Sequence, residues 1–486
     1  MRGNVLRGLA WKAASQIVYQ ASRIAVAVVL ARLLTPHDYG LAAMVMVVGL
    51  FALVFSDLAL GAALVQRANL SEDDRSTVFW ASLGAGAFFT VGGVALSGPL
   101  AAFYGEPDVR PLFAALSLSF VLTSIGSIQT ALLTREMAFR KLELRQITAT
   151  LCGAVVGIGL AAGGAGAWAI IGQQLTAVAV GSALVWALAD WKPVLRFSMD
   201  SLRSLGGFSG KVFAQRLLYY ASRSADGILI GRYLGAAAVG AYAVAYNIIL
   251  IPFSQIAGPI QQVMFPAFAR MQDDRQRVAA VWVRTMRLIA AVTMPALLGM
   301  IVVAPDFVSV VLGDQWSRAV PVVRILAFVA LLQSLQTMNA DILQALDKAG
   351  TMLRFMLVWF VANLTAFVIG LQWGIVGVAA AYAVAASVLE PANAWLTARA
   401  LGTSLLSVVR EISGVAQAAL AMAVAVAIAR SAAIAISVPA SVRLIGLVVV
   451  GTALYVPLCA WRSPEARGDV LGLVRRRRTT AADPQL

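Results

Sequence analysis

The chain has 486 residues, of which 60% are hydrophobic and only 13% charged, with a formal net charge of +15. Soluble globules carry about a quarter of their residues as Asp, Glu, Lys and Arg, so this composition excludes a soluble enzyme or binding module. Long apolar runs, and no short alternating segments, point to an all-α polytopic membrane protein and away from a spanning β-barrel.

About fourteen runs approach the roughly 20 residues that a helix needs to cross the hydrocarbon core. In chain order they fall near 9–32, 40–60, 78–103, 111–133, 146–163, 166–189, 209–231, 238–263, 283–303, 320–346, 351–371, 374–397, 412–429 and 442–461. Arg2, Arg7 and Lys12 precede a first run too long for a cleaved signal peptide, which is therefore expected to stay as a signal anchor. Most of the 38 Lys and Arg residues fall in alternate connections when the N-terminus is placed inside, among them Arg135, Arg140 and Lys141, Lys192 to Lys211, Arg270 to Arg287 and the tail beyond Arg462. That bias predicts cytoplasmic termini, and it assigns the positive charge to topology and anionic lipid, with no nucleic acid involved.

Residues 16–40, QIVYQASRIAVAVVLARLLTPHDYG, recur at a constant offset of 200 in residues 216–240, RLLYYASRSADGILIGRYLGAAAVG. Tyr19/Tyr219, Ser22/Ser222, Arg23/Arg223, Arg32/Arg232, Leu34/Leu234 and Gly40/Gly240 are among the identities. Downstream, FSDLALG from Phe55 and FSQIAGP from Phe253 continue the echo with a two-residue slip. Two six-helix lobes in parallel repeat are expected, 1–189 and 209–397, joined by a cytoplasmic amphipathic linker at 190–208. An added helix pair follows at 398–461, and a basic tail at 462–486. The linker, DWKPVLRFSMDSLRSLGGF, alternates basic and apolar residues as an interfacial segment would; the other long hydrophilic connection is expected at 266–282.

Catalytic machinery is not visible. Cys152 and Cys459 lie in apolar runs without zinc or disulfide spacing, and His37 in the turn TPHDYG reads as a solvated loop histidine. No phosphate loop, nucleophile elbow or metalloprotease motif is found, so no cofactor and no metal is expected.

The informative feature is polarity inside the membrane, where charge normally faces a bundle interior or a wet cavity. Arg216, Tyr219, Tyr220 and Arg223 fall on one third of a helix circumference with Asp226 at its edge, and Gln16, Tyr19, Gln20 and Arg23 hold the equivalent places in the first helix. The arginine fork suits phosphate, and tyrosine and glutamine suit sugar hydroxyls. Neutralisation of Arg223 by Asp226, three residues on, and snorkelling of Arg23 to the interface are the structural alternatives. Asp57 and Asp226 read as structural or ion-coupling. In the tenth run Gln333, Thr337, Asp341 and Gln344 are expected on one narrow helical face, lining a cavity or bonding between helices; Asp341 is grouped with the structural or ion-coupling acids. Glu390, just before Pro391, marks an expected kink and belongs to that group too. Trp191, Trp316 and Trp461, near expected span ends, read as interface anchors, and Arg475–Arg478 as a headgroup contact.

GLAWKAASQIVYQASRIAVAVVLARLLTPHDYGLAAMVMVV at the start, ALVQR after the second run, and DGILIGRYLGAAAVGAYAVAYNIILIPFSQIAGPIQQVMFPAFARMQDD in mid-chain together resemble the polysaccharide-transporter branch of the multidrug, oligosaccharidyl-lipid and polysaccharide exporter superfamily. The resemblance extends to about residue 460. It implies a flippase of the bacterial inner membrane that carries undecaprenyl-diphosphate-linked oligosaccharide units for O-antigen, capsule or exopolysaccharide synthesis. Polymerases or glycosyltransferases of the same pathway would be its partners. The family's central cationic cavity would place Arg23, Arg216 and Arg223 on the diphosphate path. Two rivals are a multidrug or cation exporter of the same superfamily, expected to carry more acid than arginine on its cavity faces, and a membrane-embedded polymerase, expected to need a sizeable external loop.

Overall fold

Lipid offers no hydrogen-bond partners, so a spanning backbone must satisfy its own, and helices do this within one segment. The computed structural model describes residues 20, 22–57, 64, 70–203, 224–271, 273–465 and 468; at 50–57, 250–263, 265, 266, 269 and 349 it describes the backbone alone. Among the described residues every regular element is helical. They are α1 (22–33), α2 (Pro36–Asp57), α3 (Glu72–Tyr104), α4 (Val109–Arg135), α5 (Phe139–Ala162), α6 (Trp168–Leu188), α7 (224–234), α8 (Ala236–Arg270), α9 (Arg275–Phe307), α10 (Val320–Leu335), α11 (Asn339–Ala345), α12 (Ala349–Gly370), α13 (Gly374–Leu401), α14 (Leu405–Ala435) and α15 (Ala440–Arg462), with short π and 3-10 turns at Val308–Leu312, Asp314–Ala319 and Leu371–Trp373. Nine helical stretches among the described residues are long and apolar enough to cross a membrane, and the chain is a multi-pass membrane protein.

The chain divides into two compact units, Met1–Ala243 and Val244–Leu486. In the first, Val26 and Leu30 of α1 and Ala42 of α2 share a core with Ala154, Ala161, Ala169 and Ile170 of α5 and α6. Helix α3 begins with a capping box: Ser71 Oγ accepts from the Asp74 N–H at 3.0 Å, and the Asp74 carboxylate accepts from the Ser71 N–H at 3.1 Å. Glu72, Asp73 and Asp74 place negative charge at that positive helix end. The helix stops at Gly105, whose φ of 72° is left-handed. Gly86 and Gly93 let α3 close on Ser124 and Ser117 of α4, a small-residue contact of the kind that drives association in lipid. The repeat is visible in the backbone, because α2 starts at Pro36 and α8 at Ala236, again 200 residues apart.

In the second unit Val278, Trp282, Met286 and Ile289 of α9 form one buried face against Met338, Ile342, Val408, Ile412 and Val415. This face corrects the expectation of a long hydrophilic connection at 266–282. Helix α8 runs to Arg270 and α9 starts at Arg275, capped by Asp274, whose side chain accepts from the Arg277 N–H at 3.0 Å. Amphipathic spacing extends the helix beyond its apolar run, and Arg287, 8% exposed, pairs with Glu411 at 2.7 Å.

Two further expectations are corrected. The tenth run is not one helix, for α10 ends at Leu335 and α11 begins at Asn339. The break is stabilised by buried polar contacts: Trp282 Nε1 donates to Asn339 Oδ1 at 3.0 Å, Asn339 Nδ2 donates to Gln336 Oε1 at 2.5 Å, and Thr293 and Ser334 share a hydrogen bond at 3.1 Å. Trp316 is no interface anchor but wholly buried in the 3-10 turn before α10. Trp461, by contrast, is exposed. Helix α13 runs through Pro391 without interruption.

Candidate functional site

The two stripes expected on the repeated helices are described only in part. Gln16, Tyr19, Arg216, Tyr219, Tyr220 and Arg223 lie outside the described residues, and Asp57 is described for its backbone alone. Gln20 is half-buried. Arg23 is exposed on α1 and is engaged in an interaction of its own. Asp226 on α7 is buried, and its Oδ1 accepts from the Gly227 N–H at 2.8 Å. His37 stands 3.6 Å from Glu106, so the loop histidine has an acidic neighbour.

The expected face of the tenth run is interrupted, because three residues in a turn separate Leu335 at the end of α10 from Asn339 at the start of α11. Thr337 sits in the turn and donates to the Ser334 carbonyl at 2.8 Å, Gln344 is exposed on α11, and Asp341 keeps one buried carboxylate oxygen without a hydrogen-bond partner among the described residues.

Gln333 instead joins Glu390. The Glu390 side chain is 5% exposed and takes side-chain hydrogen bonds from Trp359, Gln333 and Asn393. Gln333 Nε2 also donates to Tyr382 Oη at 2.7 Å, and Tyr382 packs its ring against Phe367 at 5.3 Å. Helices α10, α12 and α13 each supply part of this cluster. Among the described residues Glu390 has no ion-pair partner, and the buried Oδ1 atoms of Asn363 and Asn393 have no donor. A buried carboxyl ringed by neutral groups costs folding energy that a hydrophobic side chain would not. Such a cost inside a membrane marks a group that exchanges a proton or another cation, or one that specifies helix packing. Trp359, Tyr382, Asn363 and Asn393 carried no local signal in the sequence; only the meeting of three helices singles them out.

A second cluster, this one ionic, likewise has no local signal in the sequence. Asp306, 2% exposed at the end of α9, receives Arg430 Nε of α14 at 2.5 Å and Arg443 Nε of α15 at 2.7 Å, and Arg443 Nη2 reaches the same Oδ1. Arg443 Nη1 closes on the Val438 carbonyl at 3.0 Å. Every charge here has a protein partner, which makes the cluster a tie between helices. No group of three or more His, Cys, Asp or Glu able to hold a metal occurs among the described residues.

The family described as polysaccharide biosynthesis protein matches residues 29–321. The lipopolysaccharide biosynthesis protein WzxC of Escherichia coli is 28% identical over 78% of this chain and 77% of its own length. The teichuronic acid biosynthesis protein TuaB of Bacillus subtilis is 26% identical over 87% and 88%, and the succinoglycan biosynthesis transport protein ExoT of Rhizobium meliloti is 27% identical over 66% and 65%. Among solved structures, the lipid II flippase MurJ in an inward closed conformation covers 93% of this chain and 98% of its own with a TM-score of 0.76 at 12% identity. An inward-facing multidrug transporter of the MATE family gives a TM-score of 0.65 at 13% identity over 79% of this chain and 94% of its own. These likenesses fix the fold, and the family match, which takes in more than half of the sequence, fixes the kinship. The chain is a multi-pass membrane protein of the polysaccharide biosynthesis protein family, built on the fold shared by MurJ and the MATE transporters of the MOP superfamily.

Proposed function

We propose that the protein is a flippase that moves undecaprenyl-diphosphate-linked oligosaccharide repeat units across the bacterial inner membrane, for O-antigen, capsule or exopolysaccharide assembly. The observation that carries this reading is the run of relatives matched over most of their length, named for lipopolysaccharide and teichuronic acid biosynthesis and, in ExoT, for transport. The chemistry agrees with it. A diphosphate bearing several sugars cannot enter hydrocarbon unaided, so it needs a wet, cationic passage while the prenyl tail stays in lipid. By side-chain chemistry the repeated sequence suits this cargo: the guanidinium groups of Arg23, Arg216 and Arg223 match a diphosphate, and Gln16, Tyr19, Gln20, Tyr219 and Tyr220 match sugar hydroxyls. The lobes of the parallel repeat would expose that passage to one leaflet and then the other.

The drive, in this proposal, is an ion exchanged at Glu390. A carboxyl held by Trp359, Gln333 and Asn393 with no fixed counter-charge can take up and lose a small cation without breaking a salt bridge. Asp226, Asp57 and Asp341 are the remaining acids for such a role.

Complementation tests the proposal. In a strain lacking its own flippase, the wild-type chain is expected to restore surface polymer, and Arg23→Ala at equal membrane level to restore little. Full export by Arg23→Ala would remove the phosphate role from that side chain. Resistance to cationic dyes without polymer export would instead identify a cation exporter.

A further inference from the structure

The stretch after α6, expected as a linker between the two halves of the repeat, is fastened over its first ten residues to the start of α3. Trp191 Nε1 donates to Glu72 Oε1 at 2.5 Å, the Val194 N–H donates to Ser76 Oγ at 3.3 Å, Trp80 Nε1 donates to the Val194 carbonyl at 2.9 Å, and the Ser198 N–H donates to Thr77 Oγ1 at 2.9 Å. Arg196 lies 3.6 Å from Asp73. Each of these partners is in the first turns of α3. Trp191 and Leu202 also pack on the core of Val78, Phe79, Ile128 and Leu132.

The backbone of Val194 and Ser198 is turned toward α3, and three apolar side chains beside them are left exposed. Leu195 is 87% exposed, Phe197 53% and Met199 52%. The turn between α4 and α5 lies at the same end of the helices, since α3 and α5 start there and α4 and α6 finish there, and it adds exposed Met137 and Phe139. Around these apolar side chains stand exposed Arg140, Lys141, Lys192, Arg196 and Arg203, against exposed Glu136, Asp190 and Asp200. The acids of the α3 start are already committed, Asp74 to its cap, Glu72 to Trp191 and Asp73 to Arg196. The Trp80, Trp186 and Trp191 rings, gathered around Phe79 at 5.2–6.3 Å, form an aromatic band of the kind that sits at headgroup level.

We infer that residues 190–203 are a membrane-surface strap: pinned to α3, they press Leu195, Phe197 and Met199 into the acyl–headgroup boundary of the leaflet, while Lys192 and Arg203 meet anionic phospholipid. Apolar side chains next to basic ones on a fixed backbone are what an interfacial anchor needs, and each basic residue near an anionic surface adds attraction. The partner is the bilayer that the chain already crosses. The strap thereby moves with α3.

Spin labels placed singly by Lys192→Cys, Leu195→Cys, Phe197→Cys and Met199→Cys, in the full chain carrying Cys152→Ala and Cys459→Ala, test this in nanodiscs of phosphatidylethanolamine and phosphatidylglycerol. Labels at 195, 197 and 199 are expected to collide preferentially with oxygen and to be shielded from a water-soluble nickel chelate, while the label at 192 is open to nickel. Replacing phosphatidylglycerol by phosphatidylcholine is expected to make the three labels shallower. Equal nickel access at all four positions would overturn the proposal. Exclusion of both reagents at 195 and 197 would also overturn it, because protein and not lipid would then cover the strap. The variant Trp191→Phe keeps the ring and removes the Glu72 bond, and it is expected to raise label mobility at 195 while the protein keeps its elution volume.

Discussion

Gly40 and Gly240, equivalent positions of the repeated sequence, pack against each other's helix at backbone distance. A Cβ on Gly40 would stand 1.7 Å from the Ala236 carbonyl oxygen, and one on Gly240 would stand 1.9 Å from the Pro36 carbonyl oxygen. Residues 36 and 236 are themselves equivalent, so one copy of the contact is the image of the other. Backbone cannot yield as a flexible side chain would, and only glycine permits this approach. Gly40→Val and Gly240→Val are each expected to cost at least the ~1–3 kcal/mol of ordinary overpacking. Thermal unfolding of the purified variants checks it. Since the two positions share one contact, the double variant should lose less than the sum of the singles.

Asp306 is the hub of a tie between α9, α14 and α15. Its removal leaves Arg430 and Arg443 part-buried and without their acid, so Asp306→Ala is expected to destabilise by about 3–5 kcal/mol. Salt should do little to the wild-type tie, because neither partner is fully exposed to screening ions. Unfolding of Asp306→Ala at low and high ionic strength measures both. A midpoint equal to wild type would show that the cluster contributes nothing.

Glu390→Gln keeps the volume and hydrogen-bonding capacity of the side chain and removes its charge. The folded variant is expected to insert normally, and its transport rate is expected to lose its dependence on an imposed ion gradient. Transport by Glu390→Gln that still follows the gradient would move coupling to another acid. Gln333→Ala, which deletes a donor from both Glu390 and Tyr382, should weaken transport less than Glu390→Gln does.

Gln129 on α4 is wholly buried, and neither its Nε2 nor its Oε1 finds a partner among the described residues. An unsatisfied buried amide costs about 1–3 kcal/mol, so Gln129→Met, of similar length and fully apolar, is expected to raise the unfolding midpoint. A lowered midpoint would mean that the amide is satisfied by a group bound in solution.

The helices were legible because a membrane imposes length and apolarity on each of them, and α3 to α6 appear close to where apolar runs placed them. The repeat was legible for the same reason in reverse, since residues such as Gly40 and Gly240 are kept by contacts that admit no alternative. The break at 336–338 left no trace in LLQSLQTMNADILQ, which has neither glycine nor proline; Trp282, some fifty residues earlier, makes it through Asn339. Gln333 and Glu390 each stood out as polar residues in apolar runs, but their meeting depends on how α10 and α13 pack, which no local pattern records. Asp306 has no acid or base beside it in sequence to mark its role. Its two partners, Arg430 and Arg443, fall on the side expected to be poor in positive charge, where each compensates the same acid.

The most direct measurement is translocation itself. Purified protein reconstituted in liposomes, given a fluorescent undecaprenyl-diphosphate oligosaccharide, is expected to render the label in the far leaflet accessible to quenching, with Arg23→Ala much slower and empty liposomes inactive. If folded wild-type protein moved the label no faster than empty liposomes under either direction of ion gradient, lipid-linked oligosaccharide would not be its cargo.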